Sequence, residues 1–531
     1  MTEHQINILP SEYAEKIGLN YSVSTTDLHK KSSGQFFTSK LIADYMGKLA
    51  QHKSDHVSIL DPGCGMAILS CCLIENLVEK GQISKIDLQL YETDSNMIKE
   101  LHKVISFLKN WLHKKQIGLN IVLIQEDFIL SNSAVFAPNT LFGSHAVSKY
   151  DYIISNPPYF KISKSDSRAQ IADELVYGQP NIYALFMGVS ARLLNSAGEL
   201  IIITPRSFAA GNYFKAFRNF FFAEVSIADI HIFESRNKMF KGDNVLQENV
   251  IIRATKKRNH LIQLSVSECE KDMNSSTVSV FKTEELIDLN SREKILFIPS
   301  NSVEKDTIHV FKNWKNSLND YNIQISTGPV VAFRSLEFLV SDFNSELGLV
   351  PLLWLHNIKE MEFVFPLKKG EKQSYIIHSE VSRKLLLRNK NYILIRRFSS
   401  KDDKSRLVCA PYFASNASSE WLGIENHLNY IYRPNGELSD YEVWGISALF
   451  NSSLFDTYFR TFNGNTQVGA SELKQIKMPP YHQLIAIGQA VKQLVTPRRN
   501  DIDKIINETL LVNQNDENNG SSGDFARVGV A

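Results

Sequence analysis

The sequence predicts an α/β fold built around a doubly wound, mostly parallel sheet, followed by a second domain of mixed α+β structure. Three observations support this prediction. Short apolar runs alternate with helical stretches between about residues 36 and 256. Polar and glycine-rich segments follow several of these runs, as expected where strands end at the ligand-binding edge of an open sheet. From about residue 300 to 490 the alternation gives way to short strands, aromatic residues and turns.

Seven apolar runs indicate strands of the first domain. In chain order they cover residues 57–60, 86–91, 121–124, 152–155, 200–204, 227–233 and 249–254. Helical stretches lie between several of them, for example 67–79 and 183–194, whereas residues 257–300 are more polar and broken. The predicted domains are residues 1–290, residues 291–500 and a polar, partly disordered tail over residues 501–531.

Composition restricts the class of protein. The chain has 531 residues, of which 43% are hydrophobic, which is enough for two to four domains with real cores. The net charge is only +1, so a nucleic-acid partner has to be bound by local patches. No apolar run approaches the roughly 20 residues of a membrane span, and the N-terminus does not resemble a signal peptide. The five cysteines lack paired spacing, which predicts a cytoplasmic protein with reduced thiols and no bound metal.

A glycine-rich turn, Asp61-Pro62-Gly63-Cys64-Gly65, follows the first predicted strand. Gly63 and Gly65 allow the backbone to turn sharply and to approach a ligand closely. A pair of glycines is weak evidence by itself, and the next two strand ends have to be considered with it.

The second and third predicted strands end in polar residues that suit a nucleoside. Glu92 is placed to bind ribose hydroxyls. Asp127 can accept a hydrogen bond from an adenine amino group, and Phe128 can cover the ring. The phosphate-binding lysine and the third glycine of a dinucleotide site are missing, so S-adenosylmethionine is the natural candidate. The competing interpretation is that these are unrelated features, because acids at strand ends are common in any open sheet.

The tetrapeptide Asn156-Pro157-Pro158-Tyr159 follows the fourth predicted strand. The Asn156 side-chain oxygen and the Pro157 carbonyl can each accept a hydrogen bond from an amino group. The prolines hold both acceptors in an extended backbone. Tyr159 offers a flat face to a planar ring. These residues suit the binding of a planar group that carries an NH2, although a strand followed by a proline turn is the simpler interpretation.

The order of motifs resembles the gamma class of adenine-N6 DNA methyltransferases, most of which belong to restriction–modification systems. The matching segments are Gly-Gln-Phe-Phe-Thr at residues 34–38, the turn at 61–65, the tetrapeptide at 156–159 and a C-terminal domain. The resemblance implies a Rossmann-like S-adenosylmethionine-dependent methyltransferase domain followed by a target-recognition domain. It assigns to the cofactor Gln35, Phe36, Phe37, Thr38, Asp61, Gly63, Gly65, Glu92, Asp127 and Phe128.

The same resemblance assigns roles at the target base. Asn156 and Pro157 hold the adenine amino group, and Tyr159 stacks on the flipped-out base. The family has a second stacking aromatic before a late strand, which we assign to Phe240. Phe240 is equally consistent with an ordinary loop anchor, and Phe233 is the less favoured alternative because it lies within a strand pattern.

Three phrases in the second half resemble the PstI/PaeR7I-like branch of the family. They are Ser-Thr-Gly-Pro-Val-Val at 326–331, Glu-Asn-His-Leu-Asn-Tyr at 425–430 and Gly-Asn-Thr-Gln-Val at 464–468, which is followed by Glu472-Leu473. We refer to them as the three C-terminal phrases. Two departures exist: Ala67 stands where many relatives have glycine, and Ala332 replaces an acid that is common after Pro-Val-Val.

Two segments are candidates for contacting duplex DNA. Between Arg383 and Arg406 there are nine Lys or Arg residues and two Asp residues, and Arg396 and Arg397 are the favoured contacts. In the loop at 462–467, Asn465 and Gln467 carry amides that can pair with adenine edges. The competing interpretations are a solvated basic face and a glycine turn.

The resemblance predicts a site-specific enzyme that methylates N6 of an adenine in double-stranded DNA. A cognate restriction endonuclease is the expected functional, rather than physical, partner, and we expect a monomer without a membrane partner. Three alternatives remain: an N-methyltransferase of RNA or of a protein glutamine amide, a fused restriction–modification enzyme, and a non-catalytic DNA-binding protein.

Overall fold

The computed structural model describes residues 8–24, 38–51, 54–81, 83–136, 148–233, 248–344, 348–367, 372–399, 403–463 and 467–517. The chain divides into two compact units, Met1–Ser300 and Asn301–Ala531. The sequence-based boundary between the first two domains was residue 290, close to this division.

The first unit is built on a nine-stranded sheet with helices around it. Its strands are β1 (His56–Pro62), β2 (Lys85–Tyr91), β3 (Gly118–Ile124), β4 (Tyr150–Ser155), β5 (Leu194–Pro205), β6 (Ser226–Phe233), β7 (Asn249–Thr255), β8 (Leu261–Ser267) and β9 (Thr277–Lys282). Its helices are α1 (Pro10–Ser24), α2 (Lys40–Leu49), α3 (Ile68–Lys80), α4 (Ser95–Lys114), α5 (Phe128–Ser131), α6 (Ser167–Ile171), α7 (Ile182–Leu193), α8 (Lys215–Glu224) and α9 (Thr283–Leu286).

The strand order is β3-β2-β1-β4-β5-β7-β6-β8-β9. The first five strands in this order are parallel, and β7 lies antiparallel between β5 and β6. The chain winds from β1 out to β3 and returns to β4 on the other side of β1. A crevice at the carboxyl ends of β1 and β4 therefore forms at this switch point, where ligands of such sheets bind. All seven predicted strands and the α/β class are confirmed.

The alternation of side chains along the central strands separates two apolar cores. In β4, Tyr152 and Ile154 belong to the core on the side of α2 and α3, whereas Ile153 belongs to the core on the side of α7. Because successive side chains of a strand point to opposite faces, a strand covered by helices on both sides needs apolar residues throughout. This requirement explains why the central strands are continuous apolar runs.

Residues 257–300 continue the sheet, although the sequence there is polar and broken. Strand β8 pairs in parallel with β6, and β9 pairs with β8 at the edge of the sheet. Of the six residues in β9, only Phe281 is buried. Val278 and Val280 alternate with polar residues but are exposed, so this edge strand packs little apolar surface although its sequence has a strand pattern.

The second unit has mixed α+β structure, as predicted. Its two larger sheets have the orders β11-β21-β18-β19 and β12-β16-β13-β20-β17, and two short pairs are β10 with β22 and β14 with β15. The strands are β10 (Asn316–Ser317), β11 (Gln324–Thr327), β12 (Leu339–Val340), β13 (Leu349–Leu353), β14 (Ile358–Lys359), β15 (Glu362–Phe363), β16 (Tyr375–Ile377), β17 (Leu386–Arg388), β18 (Tyr392–Arg396), β19 (Cys409–Tyr412), β20 (Trp421–Ile424), β21 (Leu428–Tyr432) and β22 (Lys477–Met478).

The described part of the second unit also contains six α-helices. They are α10 (Ser302–Asn313), α11 (Asp440–Asn451), α12 (Ser453–Arg460), α13 (Ala470–Leu473), α14 (Tyr481–Lys492) and α15 (Arg499–Glu517). Helix α15 runs across residue 500, where the polar tail was predicted to begin, because Ile502 and Ile506 are buried. Among the described residues, the helices are all too short or too polar to cross a membrane. All five cysteines are free thiols.

Candidate active site

The glycine turn and the Asn-Pro-Pro-Tyr tetrapeptide lie at the carboxyl ends of the adjacent strands β1 and β4. The Ser155 hydroxyl donates a hydrogen bond to the Pro62 carbonyl over 3.0 Å, and the Cys64 N–H donates to the Tyr91 carbonyl over 2.8 Å. These two bonds connect the ends of β4 and β2 to the turn after β1. The structure therefore brings together the ends of three strands at the switch point of the sheet.

Three residues of this turn have positive φ angles. The values are +77° at Gly63, +55° at Gly65 and +57° at Ala67. Glycine adopts this region freely, whereas a residue with a Cβ pays roughly 1 kcal/mol or more. Ala67, which departs from the family pattern, therefore occupies a position where glycine is the less strained residue.

Asp61 is buried at the end of β1. Its Oδ2 accepts a hydrogen bond from the Ser70 hydroxyl over 2.7 Å, whereas its Oδ1 is buried without a partner in the described part of the chain. Burial and, to a smaller extent, the nearby Glu92 carboxylate raise the pKa of Asp61 to about 7, against the lowering effect of Ser70. A buried acceptor without a donor fits a site where a ligand supplies the donor.

Replacing Asp61 by asparagine is expected to change how stability depends on pH. An unfolded aspartic acid titrates near pH 4, whereas folded Asp61 keeps its proton up to a pKa of about 7. Raising the pH through this window deprotonates the unfolded state first, so the wild-type protein loses stability, and the loss is complete above the folded pKa. The variant lacks this titration. We therefore measure the thermal unfolding midpoint of both proteins without cofactor. The midpoint of the variant, relative to that of wild type, should rise as the pH increases from about 4 to about 7.

The exposed acid Glu79 on α3 provides the control for this experiment. Glu79→Gln removes one carboxylate from the same helix that carries Ser70, without touching the turn. A difference between Asp61→Asn and wild type that stays constant over the whole pH window would contradict the raised pKa.

The Glu92 carboxylate organises the turn through backbone hydrogen bonds. Its Oε2 accepts from the Gly65 N–H over 3.1 Å, and its Oε1 accepts from the N–H groups of Thr93 and Asp94 over 2.8 and 2.9 Å. Burial raises the pKa of Glu92, and these three donors oppose the rise. Glu92 thus shapes the glycine turn, and its contact with a ribose remains a prediction.

Asp127 and Phe128 follow β3 and have defined structural partners. The Asp127 side chain caps the short helix α5 by accepting from the N–H groups of Ile129 and Leu130. Its Oδ2 lies 3.5 Å from the guanidinium of Arg168. Phe128 is buried and packs edge-on against Tyr91, with ring centroids 5.3 Å apart. Their roles at an adenine ring remain predictions, and Arg168 is a neighbour that the sequence did not indicate.

The Asn156 side chain is held on two sides. Its Nδ2 donates to the Thr38 hydroxyl over 3.0 Å, and its Oδ1 accepts from the Tyr159 hydroxyl over 2.5 Å. This pair of contacts fixes the orientation of the amide, because only Nδ2 can donate and only Oδ1 can accept. Thr38, which the family resemblance assigned to the cofactor, therefore contacts the catalytic candidate directly.

Tyr159, the last residue of the tetrapeptide, is half-buried. Its hydroxyl also lies 3.1 Å from the Ile203 carbonyl at the end of β5, and its ring meets Tyr183 edge-on at 6.2 Å. Burial raises the pKa of Tyr159, so the hydroxyl keeps its proton. Pro157 is buried and Pro158 is half-buried. The ring is thus fixed by its hydroxyl and by one aromatic neighbour.

Several predicted site residues lie outside the described residues. They are Gln35, Phe36, Phe37, Phe240 and Asn465. Phe233, the less favoured stacking candidate, is the last residue of β6 and is buried against His231. That burial gives it no exposed face for a base.

Two of the DNA-binding candidates of the second unit, Arg396 and Arg397, donate hydrogen bonds to backbone carbonyls. Arg396 is half-buried and donates to the Ile358 carbonyl, and burial lowers its pKa. Arg397 donates to the Asn426 carbonyl over 3.0 Å. Gln467 is exposed and its backbone pairs with Phe398. The structure therefore joins the basic strip to the loop that carries Gln467, and their roles at DNA remain predictions.

Comparison with known proteins identifies the family. Residues 72–240 match the family model described as Eco57I restriction-modification methylase. The type II methyltransferase M.PstI of Providencia stuartii is 32% identical over 491 residues, which cover 92% of this chain and 95% of that protein. The chain belongs to the type II methyltransferases of restriction–modification systems. M.BsuBI of Bacillus subtilis is also 32% identical, over 91% of this chain and 95% of its own length.

A solved structure is also similar to this methyltransferase. The DrdV–DNA complex matches with a TM-score of 0.49 and 12% identity, over 95% of this chain and 63% of that chain. The methyltransferase acts on DNA and takes its methyl group from S-adenosylmethionine, as the sequence analysis expected. Methylation of RNA or of a glutamine amide, the alternative raised by the tetrapeptide, is not favoured by these relatives.

Proposed function

We propose that this methyltransferase modifies N6 of a flipped-out adenine at a specific site in duplex DNA. The observation that carries the proposal is the oriented amide of Asn156 at the end of β4, beside the glycine turn of β1. An amide oxygen can accept two hydrogen bonds, so one bond from Tyr159 is compatible with a second from an amino group.

The residues around the turn fit the cofactor. Gly63 and Gly65 adopt left-handed backbone conformations that admit a close ligand, and the buried Asp61 Oδ1 has an acceptor position to offer. Glu92, Asp127 and the segment that ends at Thr38 would complete the site. When bound, S-adenosylmethionine supplies an electrophilic sulfonium methyl group.

The tetrapeptide prepares the amine nitrogen for attack. Asn156 Oδ1 and the Pro157 carbonyl accept its two N–H bonds and thereby direct a lone pair out of the ring plane. Tyr159 stacks on the extruded base and offsets the few kcal/mol that unstacking costs. The extra proton leaves after transfer, so no strong general base is required. Phe240 is the proposed second stacking residue.

The second unit is proposed to bind the duplex around the target base. Arg396 and Arg397 would contact phosphates, and Asn465 and Gln467 would contact base edges. The exposed position of Gln467 supports its assignment. The partial burial of both arginines means that they would contribute through their outer nitrogens.

The direct test is the chemical nature of the product. Plasmid DNA from an expressing host is digested to nucleosides and analysed by mass spectrometry, and N6-methyladenine is expected. N4-methylcytosine or 5-methylcytosine in its place would contradict the proposal. Sequencing of the modified DNA then identifies the recognised site, and protection of that site from cleavage identifies the cognate endonuclease.

We further infer a cytoplasmic, monomeric enzyme whose endonuclease is a separate functional partner. Five free cysteines, four of them buried, support a reducing compartment. Light scattering of the purified protein with and without DNA measures the oligomeric state.

A further inference from the structure

The described residues of the three C-terminal phrases, which are far apart in sequence, meet in the second unit. The Thr327 hydroxyl donates to Asn429 Oδ1 over 2.9 Å, and Asn429 Nδ2 donates to the Val468 carbonyl over 2.7 Å. A Cβ on Gly328 would lie only 2.3 Å from the Glu425 carbonyl, so the first phrase needs glycine to approach the second. The phrases therefore form one built structure.

A buried carboxylate in this structure binds both the side chain and the backbone of one surface residue. Glu425 is 1% exposed, yet its Oε1 lies 2.6 Å from His427 Nδ1 and its Oε2 accepts from the His427 N–H over 2.9 Å. Burying a carboxylate is costly unless its hydrogen bonds compensate. One oxygen of Glu425 therefore orients the imidazole of His427, whose side chain is 46% exposed, and the other fixes the backbone of the same residue. Nε2 of that imidazole makes no hydrogen bond to the described residues.

An exposed aromatic ring lies next to this imidazole. Phe398 is 39% exposed, and its ring centroid is 4.9 Å from that of His427. The backbone of Phe398 pairs with Gln467, whose side chain is exposed. The Arg397 guanidinium lies 5.9 Å from the Phe398 ring. An amide, an oriented imidazole and an exposed ring thus share one surface, with a cation beside them.

We propose that Phe398, His427 and Gln467 form a surface that reads base edges of the recognition site in the major groove. The assignment rests on the proposed function. A glutamine amide can pair with an adenine edge, an exposed phenyl ring can contact a thymine methyl group, and His427 Nε2 can form one hydrogen bond to a base. Glu425 is a positioning residue, because it acts through His427.

The test uses the full-length enzyme and three single variants, Phe398→Ala, His427→Ala and Gln467→Ala. The Kd is measured for the cognate duplex and for an unrelated duplex at several salt concentrations. Each variant should bind the cognate duplex about 10- to 100-fold more weakly. Binding of the unrelated duplex and the salt dependence should stay unchanged, because base contacts, unlike phosphate contacts, carry sequence discrimination.

Matched control variants test whether the weaker binding is specific to this surface or follows from the loss of any exposed ring. Tyr441 is 40% exposed and lies beside a cation, Lys492, at 5.3 Å, which makes Tyr441→Ala the counterpart of Phe398→Ala. The exposed His482 is the counterpart of His427. Both control variants should bind the cognate duplex as wild type does. Glu425→Gln should reproduce part of the loss seen with His427→Ala, while thermal unfolding and cofactor affinity verify that each variant is folded.

Three outcomes would overturn the inference. The first is cognate binding at the wild-type level in all three variants. The second is an equal loss for both duplexes with a weaker salt dependence, which identifies phosphate contacts. The third is an equal loss in the control variants. Absence of N6-methyladenine in DNA from a host that expresses the wild-type enzyme would refute the proposed function instead, whatever the binding data show.

Discussion

Replacing Asn156 by alanine is expected to abolish methyl transfer. The variant loses the side-chain acceptor for the target amine and the two contacts with Thr38 and Tyr159 that orient it. Removing one preorganised hydrogen-bonding group from an active site costs about 10²- to 10³-fold in turnover. Because this group also holds its neighbour Tyr159, we expect a fall of at least about 10³-fold. Single-turnover methylation of the cognate duplex measures it.

Cofactor affinity should be largely intact in this variant, since the glycine turn is untouched and Thr38 loses only one partner, and isothermal titration with S-adenosylmethionine tests that. Asn156→Asp keeps an acceptor and should retain more activity than the alanine variant. The control is Asn195→Ala. This variant loses a 2.8 Å amide hydrogen bond to Asp151, which lies at the amino-terminal ends of β4 and β5, away from the candidate site. Turnover of Asn156→Ala within tenfold of wild type would refute the assignment.

Replacing Tyr159 by alanine is expected to have the second largest effect. Stacking of a base on an aromatic side chain contributes about 1–3 kcal/mol. The hydroxyl contacts with Asn156 and the Ile203 carbonyl are lost as well. Together these losses predict a fall in kcat/KM for DNA of about 100-fold or more. Fluorescence of 2-aminopurine at the target position measures extrusion of the base, which should also decline.

Tyr159→Phe separates the ring from the hydroxyl. The phenylalanine variant keeps the stacking face, so we expect kcat/KM within about tenfold of wild type, the range of one lost hydrogen bond. The control is Tyr13→Phe. Tyr13 is a half-buried tyrosine of the same unit that stacks on Phe107 with ring centroids 4.5 Å apart, outside the candidate site. If Tyr159→Phe is as inactive as Tyr159→Ala, the hydroxyl rather than the ring has the dominant role.

Much of the first unit was predictable from local patterns. The seven strands followed from apolar runs, because central strands buried on both faces need apolar residues throughout. The candidate active site was proposed from the turn after the first strand and the tetrapeptide after the fourth, and these two motifs lie at adjacent strand ends. Strands β8 and β9 were not predicted, although Ile262, Leu264 and Val266 of β8 alternate with polar residues as in a half-buried strand.

The contacts that give these motifs their chemistry were not readable from the sequence. Thr38 and Asn156 are 118 positions apart, and the Arg168 guanidinium approaches Asp127 from another element. Ser70 could have been suspected as a partner of Asp61, because it lies one helical turn into the helix that follows the glycine turn. No comparable signal exists for the other two contacts.

The second unit illustrates the same division. Composition identified the basic strip and the loop at 462–467 as candidates for contacting DNA. Nothing in the sequence favoured one of them over the other. Pairing of Phe398 with Gln467 joins them, and the buried Glu425 gives His427 a fixed orientation.

The amino-acid sequence alone therefore determined the fold class and the family, and it indicated the chemistry that we propose for the tetrapeptide, because these depend on residues that are neighbours in the chain. The tertiary structure decided which side chain orients the Asn156 amide, where an unpaired acceptor is buried at Asp61, and which surface of the second unit is built around His427. These properties depend on burial and on contacts such as Thr38 with Asn156 and Phe398 with Gln467, which join segments that are distant in sequence.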